Sequence, residues 1–145
     1  MPVFVYDFIH LNLEFEDARV RLLAVKEFRT GAHPRIFLDA GALPMGREVE
    51  AEVDAPYDRD GILSVPLRWA ATGPAAIFPG FDGELELSRL GDGSAQLCLM
   101  GRYQPPFGSV GQALVRAMLH GVAEDTVRDV LTSIAARLGA RELIA

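Results

Sequence analysis

The hydrophobic period changes several times along the chain, and each change marks an element. Over residues 3–13 both parities are apolar, with Val3, Val5, Ile9 and Leu11 on one side and Phe4, Tyr6 and Phe8 on the other. A β-branched and aromatic run of this kind predicts a strand. Apolar side chains on both parities predict cover on both faces, from this domain or from a partner subunit. From Asn12 the period lengthens: Phe15, Ala18, Leu22 and Val25 recur at helical spacing. Glu16 and Asp17 stand at the start of that helix and Lys26 and Arg29 towards its end, as the helix dipole favours. Gly31 and Pro34 are expected to close it, and residues 36–43 suit either a short second helix or a turn.

From Arg47 the period becomes two. Val49, Ala51 and Val53 face one way and Glu48, Glu50, Glu52 and Asp54 the other, a strand with one buried and one solvated face. Asp58-Arg59-Asp60-Gly61 supplies turn chemistry. Leu63, Val65, Leu67 and Trp69 then alternate with Ser64, Pro66 and Arg68. Pro66 cannot donate to a ladder, which predicts an edge strand or a bulge there. Thr72-Gly73-Pro74 turns the chain, and the apolar run 75–78 suits another short strand. Phe81-Asp82-Gly83 reads as the next turn, followed by a strand carrying Leu85 and Leu87. Gly91-Asp92-Gly93-Ser94 predicts a hairpin into a strand where Ala95, Leu97, Leu99, Gly101 and Tyr103 alternate with Gln96, Cys98, Met100 and Arg102.

Pro105-Pro106 ends the sheet region, and Ser109 can cap a helical pattern that runs on to Leu138. Thirty residues of helix would reach about 45 Å, longer than most globular helices. Val110, Ala113, Leu114, Ala117 and Met118 share one face. After Gly121 the stripe passes to Val127, Leu131, Ile134, Ala135 and Leu138, rotated by roughly a quarter turn at about 100° per residue. A bend near His120-Gly121 is the expected consequence.

The order is strand, helix, a possible short helix, about five antiparallel strands, and a long helix. Most strands have one apolar face, so the sheet needs cover on one side, and the terminal helix carries the largest stripe to provide it. That makes an α+β chain in which a curved antiparallel sheet of six or seven strands wraps a long C-terminal helix, with residues 1–145 as one domain.

Composition narrows the function classes. The 145 residues are 50% hydrophobic and 23% charged, and Lys plus Arg number 14 against 20 Asp plus Glu, for a net charge of −6. With no Lys/Arg block, the footprint of a nucleic-acid binder is missing. One cysteine, Cys98, excludes an internal disulfide framework and a Cys-based zinc site. No apolar stretch reaches the roughly 18–20 residues of a membrane span. The start of the chain lacks a basic region followed by an apolar core. A soluble cytoplasmic domain without a cofactor is the expectation.

The element order, with the junction Gly101-Arg102-Tyr103-Gln104-Pro105-Pro106-Phe107-Gly108 before the last helix, resembles the START/SRPBCC superfamily of helix-grip proteins. Lipid-transfer domains, plant allergens and polyketide cyclases belong to that group, and the junction also resembles its bacterial members. The superfamily has no universal catalytic signature, so the resemblance assigns no active-site residue. It implies an apolar cavity between sheet and helix that holds a lipid-like or aromatic ligand. The residues expected to line it are Val65, Leu67, Trp69, Leu97, Leu99, Tyr103, Phe107, Leu114 and Met118. The leading expectation is therefore binding or transport of a hydrophobic small molecule. A cyclase- or aromatase-like enzyme using the same cavity, with Tyr103, His120 or Arg102 as polar groups, is the first alternative. A dimeric interaction or chaperone-like module with a filled core is the second.

Other candidates carry weaker chemistry. His10, His33 and His120 lack the spacing of a helical zinc site, which leaves no expected metal. His120 and Glu124 are four apart on a helix, as a solvated ion pair or as a proton-transfer couple at a cavity mouth. Gly108-Ser109-Val110-Gly111 is one residue short of a nucleophile elbow and suits a helix start. The acidic row at 48–54 reads as the solvated side of a strand, and Cys98 as a structural or solvent-side thiol. Arg68 and Arg102 read as surface residues or as carboxylate holders at the cavity rim.

Overall fold

The computed structural model describes residues 3–25, 35–38, 47–69, 80–91, 93–104 and 127–139. Their elements follow the order β1 (Val3–Leu11), α1 (Phe15–Ala24), β2 (Arg35–Leu38), β3 (Arg47–Val53), β4 (Tyr57–Arg59), β5 (Ile62–Trp69), β6 (Gly80–Gly91) and β7 (Ser94–Gln104). A helix, α2, covers residues 127–137. The strands form one antiparallel sheet in the order β1-β7-β6-β5-β3-β2, with β4 also paired to β5. The fold is α+β of the helix-grip kind, a curved antiparallel sheet closed on one face by helices.

The period-two pattern sets the two faces. Odd-numbered residues of β1, β5, β6 and β7 form the concave face, where Ile9, Leu63, Val65, Leu85, Leu87, Leu97 and Leu99 are each at most 1% exposed. Against them pack Phe15, Ala18 and Leu22 of α1 and Val127, Val130, Leu131, Ile134, Ala135 and Leu138 of α2. The stripe read from the sequence at 127–138 is thus buried. The rest of the expected terminal helix, and the bend near His120-Gly121, lie outside the described residues. So does the expected strand at 75–78.

Turn chemistry fixes the register of two hairpins. Asp60 (φ 52°) and Gly61 (φ 79°) both adopt the left-handed region, as a two-residue type I′ turn between β4 and β5 requires. Gly91 pairs with Ser94 across the β6–β7 hairpin, where Gly93 has φ 79°.

Five local expectations are corrected. The strip 36–38 is neither helix nor turn. Ile36, Phe37 and Leu38 pair with Val49, Glu48 and Arg47 in β2, because a neighbouring strand offers ladder partners that a lone segment lacks. Helix α1 ends at Ala24 with Val25 extended (φ −64°, ψ 123°), well before Gly31 and Pro34. Phe81-Asp82-Gly83 is not a turn: it lies inside β6, paired with Trp69, Arg68 and Leu67 on one side and Tyr103, Arg102 and Gly101 on the other. Of the two outcomes expected from Pro66, the edge is excluded, since β6 lies on one side of β5 and β3 and β4 share the other, while a bulge is present at this level. The interruption falls on the neighbour, where Asp54, Ala55 and Pro56 span the gap opposite Val65 and Pro66, a bulge of one extra residue. The Pro66 carbonyl accepts from the Asp54 N–H at 3.0 Å on that side, so the missing proline donor faces the gap where no ladder bond is required. Finally, of the two covers expected for the second apolar face of β1, this domain supplies none: Phe4, Tyr6 and Phe8 are 61%, 48% and 39% exposed.

Side-chain bonds tie the helices to this frame. The Arg21 guanidinium of α1 donates through Nη1 to the Leu138 carbonyl at 2.8 Å, closing the C-terminal end of α2. There Leu138 N–H bonds the Ile134 carbonyl at 3.0 Å and Gly139 takes φ 70°, a left-handed stop. The Arg89 guanidinium stands 4.5 Å over the Phe15 ring and bonds Glu16 at 2.9 Å, fixing the start of α1 over β6.

Candidate functional site

The concave face is the candidate site, and it is built by alternation. Strands β5, β6 and β7 run side by side with Leu63, Leu87 and Leu97 in one row, Val65, Leu85 and Leu99 in the next, and Leu67, Gly83 and Gly101 in a third. A fourth row holds Trp69 and Phe81, whose rings stack at 4.5 Å between centroids and 19° between planes. Both are buried, at 5% and 3% exposure.

The glycine pair explains the stack. A Cβ on Gly101 would lie 2.5 Å from the Asp82 carbonyl oxygen, 2.6 Å from the Gly83 Cα and 2.7 Å from the Phe81 Cζ. A Cβ on Gly83 would meet the same Phe81 ring atom at 2.7 Å and the Gly101 Cα at 2.7 Å. The Phe81 ring therefore lies over two strands that carry no side chain, fills the space they leave, and offers its other aspect to Trp69. An aromatic laid over paired glycines restores the burial those positions lack. The result is a flat aromatic platform at one end of an aliphatic wall.

Of the nine residues expected to line a cavity, Val65, Leu67, Trp69, Leu97 and Leu99 come together on this wall, all buried. Tyr103 is in the same sheet, its backbone opposite Val3 in β1 and Phe81 in β6. Phe107, Leu114 and Met118 lie outside the described residues, as do His33, His120 and Glu124. The sequence reading missed Phe81, because Asp82-Gly83 resembles a turn. Its parity with Leu85 and Leu87 was the signal available. Leu63, Leu85 and Leu87 belong to the same wall.

Polar chemistry is concentrated on the convex face. Arg68 is half exposed and bonds Glu52 at 2.8 Å and Asp54 at 3.2 Å, so both the arginine and part of the acidic row are occupied with each other. Those carboxylates, Glu52 foremost, hold the guanidinium above its ordinary pKa. Arg102 is exposed on the same parity, away from the aliphatic wall. Tyr57 donates to Glu84 at 2.8 Å, and Arg59 stands 3.8 Å from Glu86. Cys98 also has convex parity, yet it is only 4% exposed between its neighbours. Burial, with the nearby charges of Glu86 and Asp7, pushes its thiol up to about 11 against the opposing bond with Tyr6, which makes it an inert thiol at neutral pH. Ser64 is buried on this face, and its hydroxyl has no bonding partner among the described residues. His10 shares a 3.3 Å contact with Gln96.

Among the described residues no group of three or more His, Cys, Asp or Glu side chains is placed to hold a metal ion. No described helix is long and apolar enough to cross a membrane. The described concave face thus offers aliphatic and aromatic surface, with its polar neighbours on the other side of the sheet.

Neither a protein-family model nor a curated protein matches the chain. Solved structures do. A protein from Thermus thermophilus superposes with TM-score 0.53 at 13% identity, covering 94% of this chain and 97% of its own. An Arthrobacter aurescens protein solved by NMR gives TM-score 0.51 at 10% identity, covering 94% and 86%. Both likenesses concern the fold. The Zhui aromatase/cyclase from Streptomyces also matches, at TM-score 0.46 and 14% identity over 96% of this chain and 93% of that one, a likeness too loose to bear on activity.

Proposed function

We propose that the chain binds or carries a hydrophobic small molecule, lipid-like or aromatic, between the concave face of the sheet and the C-terminal helix, as a member of the START/SRPBCC superfamily. The strand order β1-β7-β6-β5-β3-β2 and the helices packed on one face of the sheet support the superfamily, and the likeness to the Thermus and Arthrobacter proteins shows that the fold recurs over nearly the whole chain. The observation that carries the ligand reading is the Trp69–Phe81 platform at the end of a wholly aliphatic wall. Apolar pockets of this make-up select by shape and stacking, with few polar groups to orient the guest. The described side chains of the β5–β7 wall are all apolar, which supports sequestration by the wall rather than proton transfer.

Trp69 is the single tryptophan, which makes the test direct. Titration with oleate or 1-anilinonaphthalene-8-sulfonate should change Trp69 emission saturably with one-to-one stoichiometry. Native mass spectrometry of freshly purified protein should show a co-purifying adduct. A chain that binds neither probe and carries no adduct has a filled interior, and the proposal fails. Turnover of a polyketide-like substrate would replace carriage with cyclase chemistry.

A further inference from the structure

Strand β1 poses a problem that the concave site does not address. Its sequence, VFVYDFIHL, is β-branched and aromatic with one formal charge, the composition of segments that pair edge to edge between molecules. It stands at the end of the described sheet, paired with β7, its one neighbour among the described strands, and its convex side exposes Phe4, Tyr6 and Phe8 in a row. The lone charge, Asp7, occupies the parity of Val5, Ile9 and Leu11, where the core pattern calls for an apolar residue. A carboxylate there sacrifices burial unless it serves another end.

Its contacts show that end. The Phe8 N–H donates to Asp7 Oδ1 at 2.8 Å, and Arg128 of α2 donates through Nη1 to the Phe8 carbonyl at 3.0 Å. Arg128 Nε stands 3.7 Å from Asp7 Oδ2, so the two side chains are also paired with each other. In an antiparallel ladder alternate residues turn their backbone groups towards and away from the neighbour. The side-chain partners of Phe8 identify 4, 6, 8 and 10 as the residues turned away from β7. At the middle of that free edge both backbone groups are taken, and a guanidinium lies across the approach. An incoming strand would have to displace the Asp7 carboxylate from the Phe8 N–H and the Arg128 guanidinium from the Phe8 carbonyl, both charge-assisted bonds. Inward-pointing charges on edge strands are a known means of blocking such pairing.

We propose that Asp7 and Arg128 form an edge guard that keeps β1 of one molecule from pairing with β1 of a second copy. The aromatic stripe beside the edge is what the guard holds apart, since antiparallel pairing of two β1 strands would set Phe4 and Tyr6 of each copy against the other. The guard does not depend on what the concave face binds.

Sedimentation velocity from micromolar to millimolar concentration tests this on the full chain. The native sequence should stay monomeric, while Asp7→Val combined with Arg128→Met should self-associate at least about tenfold more strongly. Hydrogen exchange at the Phe4 and Tyr6 amides should slow in the associated form. Adding Phe4→Ser and Tyr6→Ser should restore the monomer. If the double variant unfolds, Arg128→Gln alone, which leaves the Phe8 N–H bond to Asp7 in place, must still shift the association. A folded variant that stays monomeric, or one that loses thermal stability without associating, shows a mere tether between α2 and β1 and overturns the proposal. So does association that survives the two serine changes, or a native protein already paired through those amides.

Discussion

Replacing Gly101 with alanine should destabilise the fold although glycine-to-alanine changes in extended backbone ordinarily help. Where the new methyl fits, the smaller unfolded-state entropy of alanine stabilises by about 0.4–1 kcal/mol. Here it does not fit. The Cβ would lie 2.5 Å from the Asp82 carbonyl oxygen and 2.6 Å from the Gly83 Cα, both backbone atoms of a strand paired on each side, and 2.7 Å from the Phe81 Cζ. The ring can swing, but only by leaving Trp69, which forfeits a stacking contact of about 0.5–1.5 kcal/mol. The backbone clash adds the usual overpacking cost of about 1–3 kcal/mol. Set against the entropy gain, the net loss is about 0.5–4 kcal/mol, or roughly 2–12 °C in Tm for a chain of this size. Urea unfolding followed by Trp69 emission measures it, and the native spectrum should shift as the stack opens. Adding Phe81→Leu should relieve part of the cost but not the share due to Asp82 and Gly83. A Gly101→Ala variant as stable as the native chain, with unchanged Trp69 emission, would refute the glycine-pair account of the platform.

Cys98 should resist thiol reagents at pH 8 in the native state and react on unfolding, since burial raises its thiol from 9.0 to about 11. The folded state holds that proton more tightly than the unfolded one. The resulting stabilisation is complete below pH 9 and is lost as pH rises to about 11, by at most about 3 kcal/mol. A Cys98→Ala variant should lack that part of the alkaline decline in denaturant titrations. Arg21→Met should cost about 1–2 kcal/mol in urea unfolding, because it leaves the Leu138 carbonyl without its guanidinium donor. Loss of the Asp17 contact, an exposed pair on one helix, should account for little of that.

The alternation of Leu63, Val65, Leu67 and Trp69, and of Leu97 and Leu99, was legible because side-chain direction in a strand follows from parity alone. So were the hairpin at Gly91-Asp92-Gly93-Ser94 and the left-handed turn at Asp60-Gly61, where local stereochemistry leaves few choices. Phe81 was hidden by the same logic. Asp-Gly favours a turn locally, and only the placement of Gly83 against Gly101 makes it the floor under an aromatic ring. Residues 36–38 carried no period of their own and became a strand because β3 was there to pair with them.

The sequence by itself determined which side chains share a face, where the β4–β5 and β6–β7 hairpins reverse and that a helical stripe follows the strands, since these depend on neighbours a few residues away. Tertiary structure decided what each face meets. It turned Pro66 towards a gap between β3 and β4, left Phe4, Tyr6 and Phe8 uncovered, and gave Asp7 a partner on a helix more than a hundred residues later. Those outcomes depend on pairings between distant segments, which local patterning leaves open and packing settles.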